Sequence, residues 1–256
     1  MRMEQGKAGI RYYVLLFLLA ADLFLLGGVL KQGRIADQAK QTASGHQTVS
    51  GHQTASEQSE FKQTVAGELQ VQNKKIAITF DDGPHPVYTE KLLDGLKERE
   101  VHATFFVTGE NAESYPELIL RMQEEGHLVG NHTYSHIQLR KDNRECFREE
   151  LVKTNEILKE ITGEEVLFIR PPYGAWDKQL EQELNMFPVL WTIDPLDWCS
   201  RNASCITKSV LTKAKENSII LLHDEYATTV QAALQIVDTL KQEGYEFVTV
   251  EELMLD

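Results

Sequence analysis

The sequence predicts an α/β protein in which parallel strands are joined by helical crossovers, as either an open sheet or a barrel. Two observations carry this. From Lys74 to Asp256, short apolar runs alternate with segments of helical period, the pattern of repeated βα units. The polar residues able to do chemistry follow those apolar runs at their C-terminal ends, where active sites collect in barrels and doubly wound sheets.

In chain order, Ile76–Phe80 reads as a strand running into Asp81-Asp82-Gly83-Pro84. A helix is expected over Tyr88–Arg99, with Leu92, Leu93 and Leu96 on one face. Ala103–Val107 reads as a strand closed by Gly109, Pro116–Glu125 as a helix, and Leu128–Gly130 as a stub strand leading into Asn131-His132. A longer helix is expected over Glu145–Ile161. Phe168-Ile169 then enters Arg170-Pro171-Pro172-Tyr173-Gly174, and a helix over Lys178–Leu184 follows. The remainder reads as strand Val189–Ile193, helix Cys205–Lys215, strand Ser218–Leu222, helix Thr228–Gln242, strand Glu246–Val250 and a short helical turn.

Ahead of this region the chain has a different character. Tyr12–Leu30 is almost wholly apolar, with Asp22 its one ionisable residue. As a helix it would rise roughly 28 Å, close to the thickness of a bilayer core. Arg2, Lys7 and Arg11 precede it, which places residues 1–11 in the cytoplasm. The reading is an uncleaved signal anchor over residues 12–30. The alternative is a cleaved secretory signal, which usually has a shorter apolar core and a small-x-small cleavage site. Either way the rest of the chain is exported, held at the cell membrane by a single pass or secreted. Residues 31–73 are rich in Gln, Ser, Thr, Gly and Ala, and Gln41–His46, Gln47–His52 and Gln53–Ser56 form an imperfect repeat. Such a segment buries too little surface to offset its ordering entropy and reads as a flexible tether. His46 and His52 are passengers of that repeat. The folded domain is residues 74–256.

The 256 residues carry a formal net charge of -13, which argues against nucleic acid as a partner. Cys146, Cys199 and Cys205 are too few for a disulfide scaffold. Cys199 and Cys205 are near enough in sequence to staple a loop in an oxidising compartment, but sequence alone does not pair them.

Several short motifs carry possible chemistry. Adjacent carboxylates at a strand end, Asp81 and Asp82, repel unless a cation or base shares their charge; they read equally as a helix cap with an acidic first turn. His132 and His136 are four apart, which on one helical turn aims both imidazoles the same way. With one carboxylate from Asp81-Asp82 they would complete a three-ligand metal site with an open position. Arg170–Gly174 is a turn stiffened by two prolines; it is a plain connection, or it gives Arg170 a buried carboxylate partner and aims a backbone N–H into a site. Asp194 and Asp197, with Trp198, follow a strand, as does His223 in Leu221-Leu222-His223-Asp224. Each of these has an ordinary structural explanation as well.

Taken together and in this order, the motifs resemble those of the polysaccharide deacetylases, carbohydrate esterase family four, also called the NodB-homology domain. The resemblance spans about Ile76 to Leu255, with no catalytic position substituted. It implies a distorted (β/α) barrel of seven strands and the metal-dependent removal of N-acetyl groups from cell-wall glycan, foremost the N-acetylglucosamine of peptidoglycan. Chitooligosaccharide and acetylated xylan are the alternative substrates, and a glycan-binding pseudoenzyme is a further reading. Carried over residue by residue, Asp82, His132 and His136 hold a divalent ion, usually zinc, with cobalt, manganese or nickel as substitutes. Asp81 is the general base and His223 the general acid. Arg170 orients Asp81, Asp197 pairs with His223, and the Tyr173 backbone N–H stabilises the oxyanion. Tyr173, Trp198 and Leu221 line the acetyl pocket. The expected partners are the glycan and, through the N-terminal helix, the membrane; the expected state is a monomer.

Overall fold

The computed structural model describes residues 74–255. Its centre is strand β1 (Lys74–Asp81), buried from Ile76 onward without alternation, as expected of a parallel strand covered on both faces. On one side β1 pairs with β2 (Thr104–Val107), followed by β3 (Leu128–Asn131), β4 (Phe168–Ile169) and β5 (Phe187–Pro188). On the other side it pairs with β6 (Ser218–His223), and its first residues also pair with β7 (Tyr245–Phe247). Every ladder is parallel, and the sheet has seven strands.

The expected strand Val189–Ile193 does not exist as one piece. Phe187-Pro188 pairs with β4, while the next residues cross toward β6. There Thr192 and Ile193 N–H donate to Ile219 O at 2.9 and 3.1 Å, and Leu221 N–H donates to Ile193 O at 2.9 Å. Only one bridge, Ile193 to Ile220, forms at that junction. A single short segment cannot ladder with two strands that lie apart, so it touches each with one end. The result is a parallel half-barrel whose edges meet at a single bridge.

Helices cover the sheet. α1 (Tyr88–Glu98) buries Leu92, Leu93 and Leu96 as its period predicts. At Gly95 a Cβ would run into the tip of the Leu234 side chain, 2.5 Å away at its nearest atom, so Leu234 packs over bare backbone where α1 meets α8 (Ala227–Gln242). Between them come α2 (Gly109–Ser114), α3 (Pro116–Glu124), α4 (Arg144–Thr162), α5 (Lys178–Leu184), α6 (Asp197–Ser200) and α7 (Ala203–Lys213). α2 and α6 have no counterpart in the sequence reading. The last strand is shorter than expected, because Val250–Leu255 is helix α9. Thr249 and Glu252 cap it reciprocally: Thr249 N–H donates to Glu252 Oε2 (2.7 Å) and Glu252 N–H to Thr249 Oγ1 (3.3 Å), a capping box.

All three cysteines are free and exposed. Among the described residues no helix is long and apolar enough to cross a membrane. The predicted span 12–30, the tether 31–73 and His46 and His52 lie outside the described residues.

Candidate active site

Because the strands are parallel, their C-terminal ends open on one side. Register brings Asp81 level with His223 on β6, and Asn131 level with Ile169, so the segments carrying His132 and Arg170 leave the sheet side by side.

Asp82, His132 and His136 converge. Asp82 Oδ1 lies 3.3 Å from His132 Nε2 and 3.4 Å from His136 Nε2, and one donor atom from each residue lies within 4.8 Å of the others. The two histidines do not sit on a helix. They occupy a loop after β3 in which Thr133 (φ 65°) and His136 (φ 56°) are left-handed, and that path turns both rings inward. His132 Nδ1 lies 2.5 Å from Arg170 O; a carbonyl can only accept, so Nδ1 carries the proton and Nε2 presents a lone pair. Burial holds the His136 imidazole below its ordinary pKa despite the neighbouring Asp82. Burial pushes Asp82 upward, but the neighbouring His132, His136 and His223 outweigh that and hold its pKa below the ordinary carboxylate value. One carboxylate and neutral imidazoles are the protonation states that ligate a metal. Asp82 Oδ1 is buried and has no hydrogen-bond partner, the kind of orphaned acceptor a cation would satisfy. The trio therefore fits a divalent ion.

Asp81 faces the same space under different control. Arg170, fully buried, donates from Nη1 to Asp81 Oδ1 (2.8 Å) and Thr79 Oγ1 (2.5 Å), and from Nε to Val189 O (3.1 Å). Its guanidinium lies over the rings of Phe106 (4.3 Å) and Trp191 (5.8 Å). Burial lowers its pKa even with Asp81 opposing, yet a guanidinium keeps its charge in proteins. With Oδ1 so held, Asp81 Oδ2 is left 3.8 Å from His132 Nε2.

Across the site, His223 is paired with Asp197. Its Nδ1 is 2.9 Å from Asp197 Oδ1, while its own N–H and Thr229 Oγ1 both donate to Asp197 Oδ2 at 2.9 Å. Burial alone would depress the imidazole. The bond to Asp197, with Asp81 and Asp82 behind it, lifts the pKa to about 9. His223 Nε2 points into the site, 4.0 Å from Asp82 Oδ2. Of the two acids read after Val189–Ile193, only Asp197 works here; Asp194 caps its own turn by accepting Leu196 N–H at 2.8 Å.

The remaining candidates lie at the rim. Tyr173 is left-handed (φ 59°) within a 3-10 turn, Pro172–Gly174. Gly174 and Ala175 N–H close that turn on Pro171 O and Pro172 O, bonds in which Tyr173 N–H takes no part. The Tyr173 ring is 66% exposed and 5.1 Å from that of His136. Trp198 is half exposed beside Asp197 on α6, and Leu221 is buried two residues before His223.

Sequence reasoning gave no role to four supporting groups. Asn111 Nδ2 donates to Asp82 O (2.7 Å), and Thr79 and Thr229 hold Arg170 and Asp197 as described. Asp224, fully buried and pushed up to about 7 by that burial, accepts a short hydrogen bond from Thr89 Oγ1. Its carboxylate fills the space over Gly83, where a Cβ would collide with both oxygens. A carboxylate next to a strand-end histidine was a visible signal for Asp224; the hydroxyls and the amide had none.

Residues 68–189 match the family model described as polysaccharide deacetylase. The chain is 41% identical over 180 residues to the peptidoglycan-N-acetylmuramic acid deacetylase of Bacillus subtilis, covering 70% of this chain and 38% of that protein. It is 42% identical over 181 residues to a peptidoglycan-N-acetylglucosamine deacetylase of Listeria monocytogenes, covering 71% and 39%. It thus spans about two-fifths of the length of those relatives. The solved structure of the B. subtilis peptidoglycan deacetylase superposes with a TM-score of 0.69 at 40% identity, over 72% of this chain and 91% of that one. Relatives, solved fold and family model agree: the chain belongs to the polysaccharide deacetylase family.

Proposed function

We propose that this chain removes N-acetyl groups from cell-wall glycan, with the N-acetylglucosamine of peptidoglycan as the preferred unit, using a divalent ion held by Asp82, His132 and His136. The observation that carries the reading is the arrangement around that trio. A carboxylate locked by a buried arginine stands on one side, and a histidine raised by a buried aspartate stands on the other. That complete set also weighs against a pseudoenzyme.

When bound, zinc or a similar ion acidifies a water and polarises the acetamide carbonyl. Asp81, its Oδ1 fixed by Arg170, takes the proton from the attacking water through Oδ2. Tyr173 N–H, within the Arg170–Gly174 turn, donates to the carbonyl oxygen as it gains charge. His223, protonated through its pairing with Asp197, gives its Nε2 proton to the sugar nitrogen as the C–N bond breaks. Acetate and a free amino sugar result. Leu221 and Trp198 shelter the acetyl methyl.

Relatives named for N-acetylglucosamine and for N-acetylmuramic acid are similar to this chain to the same degree; the N-acetylglucosamine preference rests on the sequence Arg170-Pro171-Pro172-Tyr173-Gly174, which looks more like that of the N-acetylglucosamine enzymes. The predicted anchor 12–30 and tether 31–73 would hold the domain outside the membrane, within reach of an insoluble wall polymer.

Purified protein is expected to release acetate from peptidoglycan, to stop when a chelator is added and to recover with zinc. Asp81→Asn and His223→Ala should each lower kcat by roughly 10²–10⁴-fold. Acetate release that survives both substitutions would sink the mechanism. Mass spectrometry of the digested product identifies the sugar that lost its acetyl group.

A further inference from the structure

The loop joining the two histidine ligands has an odd backbone, with two left-handed non-glycine residues in four positions. Such conformations persist only where the surroundings over-determine them, so the question is what holds this one. From one side the first amides of α2 hold its carbonyls: Gly109 N–H donates to Thr133 O (3.0 Å) and Glu110 N–H to Tyr134 O (3.1 Å). From the other side a single carboxylate on α4 holds its amides. Glu150 Oε2 accepts from Tyr134 N–H (3.0 Å) and Ser135 N–H (2.7 Å), and Oε1 accepts from Ser135 Oγ (2.7 Å). The remaining amide, Thr133 N–H, donates to Asn131 Oδ1 (2.7 Å). Asn131 is itself tied to α4 through Leu151 O and Asn155 Oδ1.

Two of the three peptide N–H groups between the histidines therefore end on Glu150. An ionised carboxylate suits this pattern because it offers only acceptors to three converging donors. We propose that Glu150 is a positioning residue for the cation site: it fixes the loop that sets the spacing of His132 and His136, without touching ion or substrate. This rests on the proposed reading of Asp82, His132 and His136 as a metal site.

The test is a calorimetric zinc titration of the metal-stripped protein, run well below its melting temperature. Glu150→Ala, which removes all three acceptors, should weaken zinc binding roughly 10–100-fold, the range for groups that support metal ligands. Glu150→Gln keeps one acceptor oxygen for the two amides and should restore most of the affinity. Leu158→Ala, a core truncation on the same helix away from the loop, should lower the melting temperature and leave zinc affinity unchanged. Parent-like binding by Glu150→Ala, or equal weakening by Glu150→Ala and Leu158→Ala, overturns the proposal. A parent protein that binds no zinc overturns the metal reading itself, and this one with it.

Discussion

A histidine in water titrates near 6.5, yet the proposed chemistry asks His223 to keep its proton until the leaving nitrogen takes it. Asp197 makes this possible, since it is fully buried, bonded to both the ring and the backbone of His223, and held by Thr229. The direction of the effect is testable. A raised pKa means the acid form persists up to pH about 9 and is lost above it. Replacing Asp197 by Asn removes the charge that raises the pKa, so the proton leaves at lower pH. The alkaline limb of kcat/KM against pH should therefore move acidward by a unit or more, one unit being about 1.4 kcal/mol of lost interaction. An unmoved limb would assign it to another group. At this scale most of the site was legible, because Asp81, Asp82, His132, His136, Arg170, Asp197 and His223 each stand directly after an apolar run or within a short motif. What spacing could not tell was which acid is ligand and which is base. In the structure Arg170 Nη1 captures Asp81 and leaves Asp82 to the imidazoles, which supports the proposed assignment of base and ligand.

Among the elements, the turn after β1 shows how close packing holds Asp82 in place. Asp82 is left-handed (φ 74°), and the next residue must be glycine because the Asp224 carboxylate occupies the space a Cβ would take. Gly83→Ala is expected to cost about 1–3 kcal/mol, as overpacking does, measured by denaturant unfolding. If Asp224 is the cause, Gly83→Ala should cost less in an Asp224→Ala background, with a coupling of at least ~0.5 kcal/mol between the two; additive losses would point elsewhere. Element boundaries were legible where period and punctuation agreed, as in α5, whose Lys178–Leu184 span matches the expected one. They failed where tertiary contacts decide. The four-residue spacing of His132 and His136 suits a helix, but the bonds to α2 and Glu150 favour a loop. Thr249-x-x-Glu252 was a readable start signal for α9, overridden by the apolar run before it.

For the whole molecule, the alternation of strand and helix foretold parallel order and the side on which the site opens, because the handedness and burial of βα units leave few alternatives. It could not foretell how the sheet ends, since the decisive contacts join Thr192 and Ile193, beyond β5, to β6, and only the completed fold brings them together. The same junction has a dynamic consequence. Amides in the long ladders of β1 open only with much of the sheet, whereas those around Ile193 rely on a few bonds, so residues 190–196 should exchange hydrogen for deuterium faster than 76–81. Equal protection of the two segments would rule this out. Compliance is thus concentrated on one side of the ring, where Leu190, Leu196 and Trp198 stand exposed. Asp81 and His132 follow the longer ladders of β1 and β3. If the proposed wall polymer needs more room than the cleft offers, the single bridge from Ile193 to Ile220 is where the fold would yield, leaving Asp81 and its Arg170 partner in register.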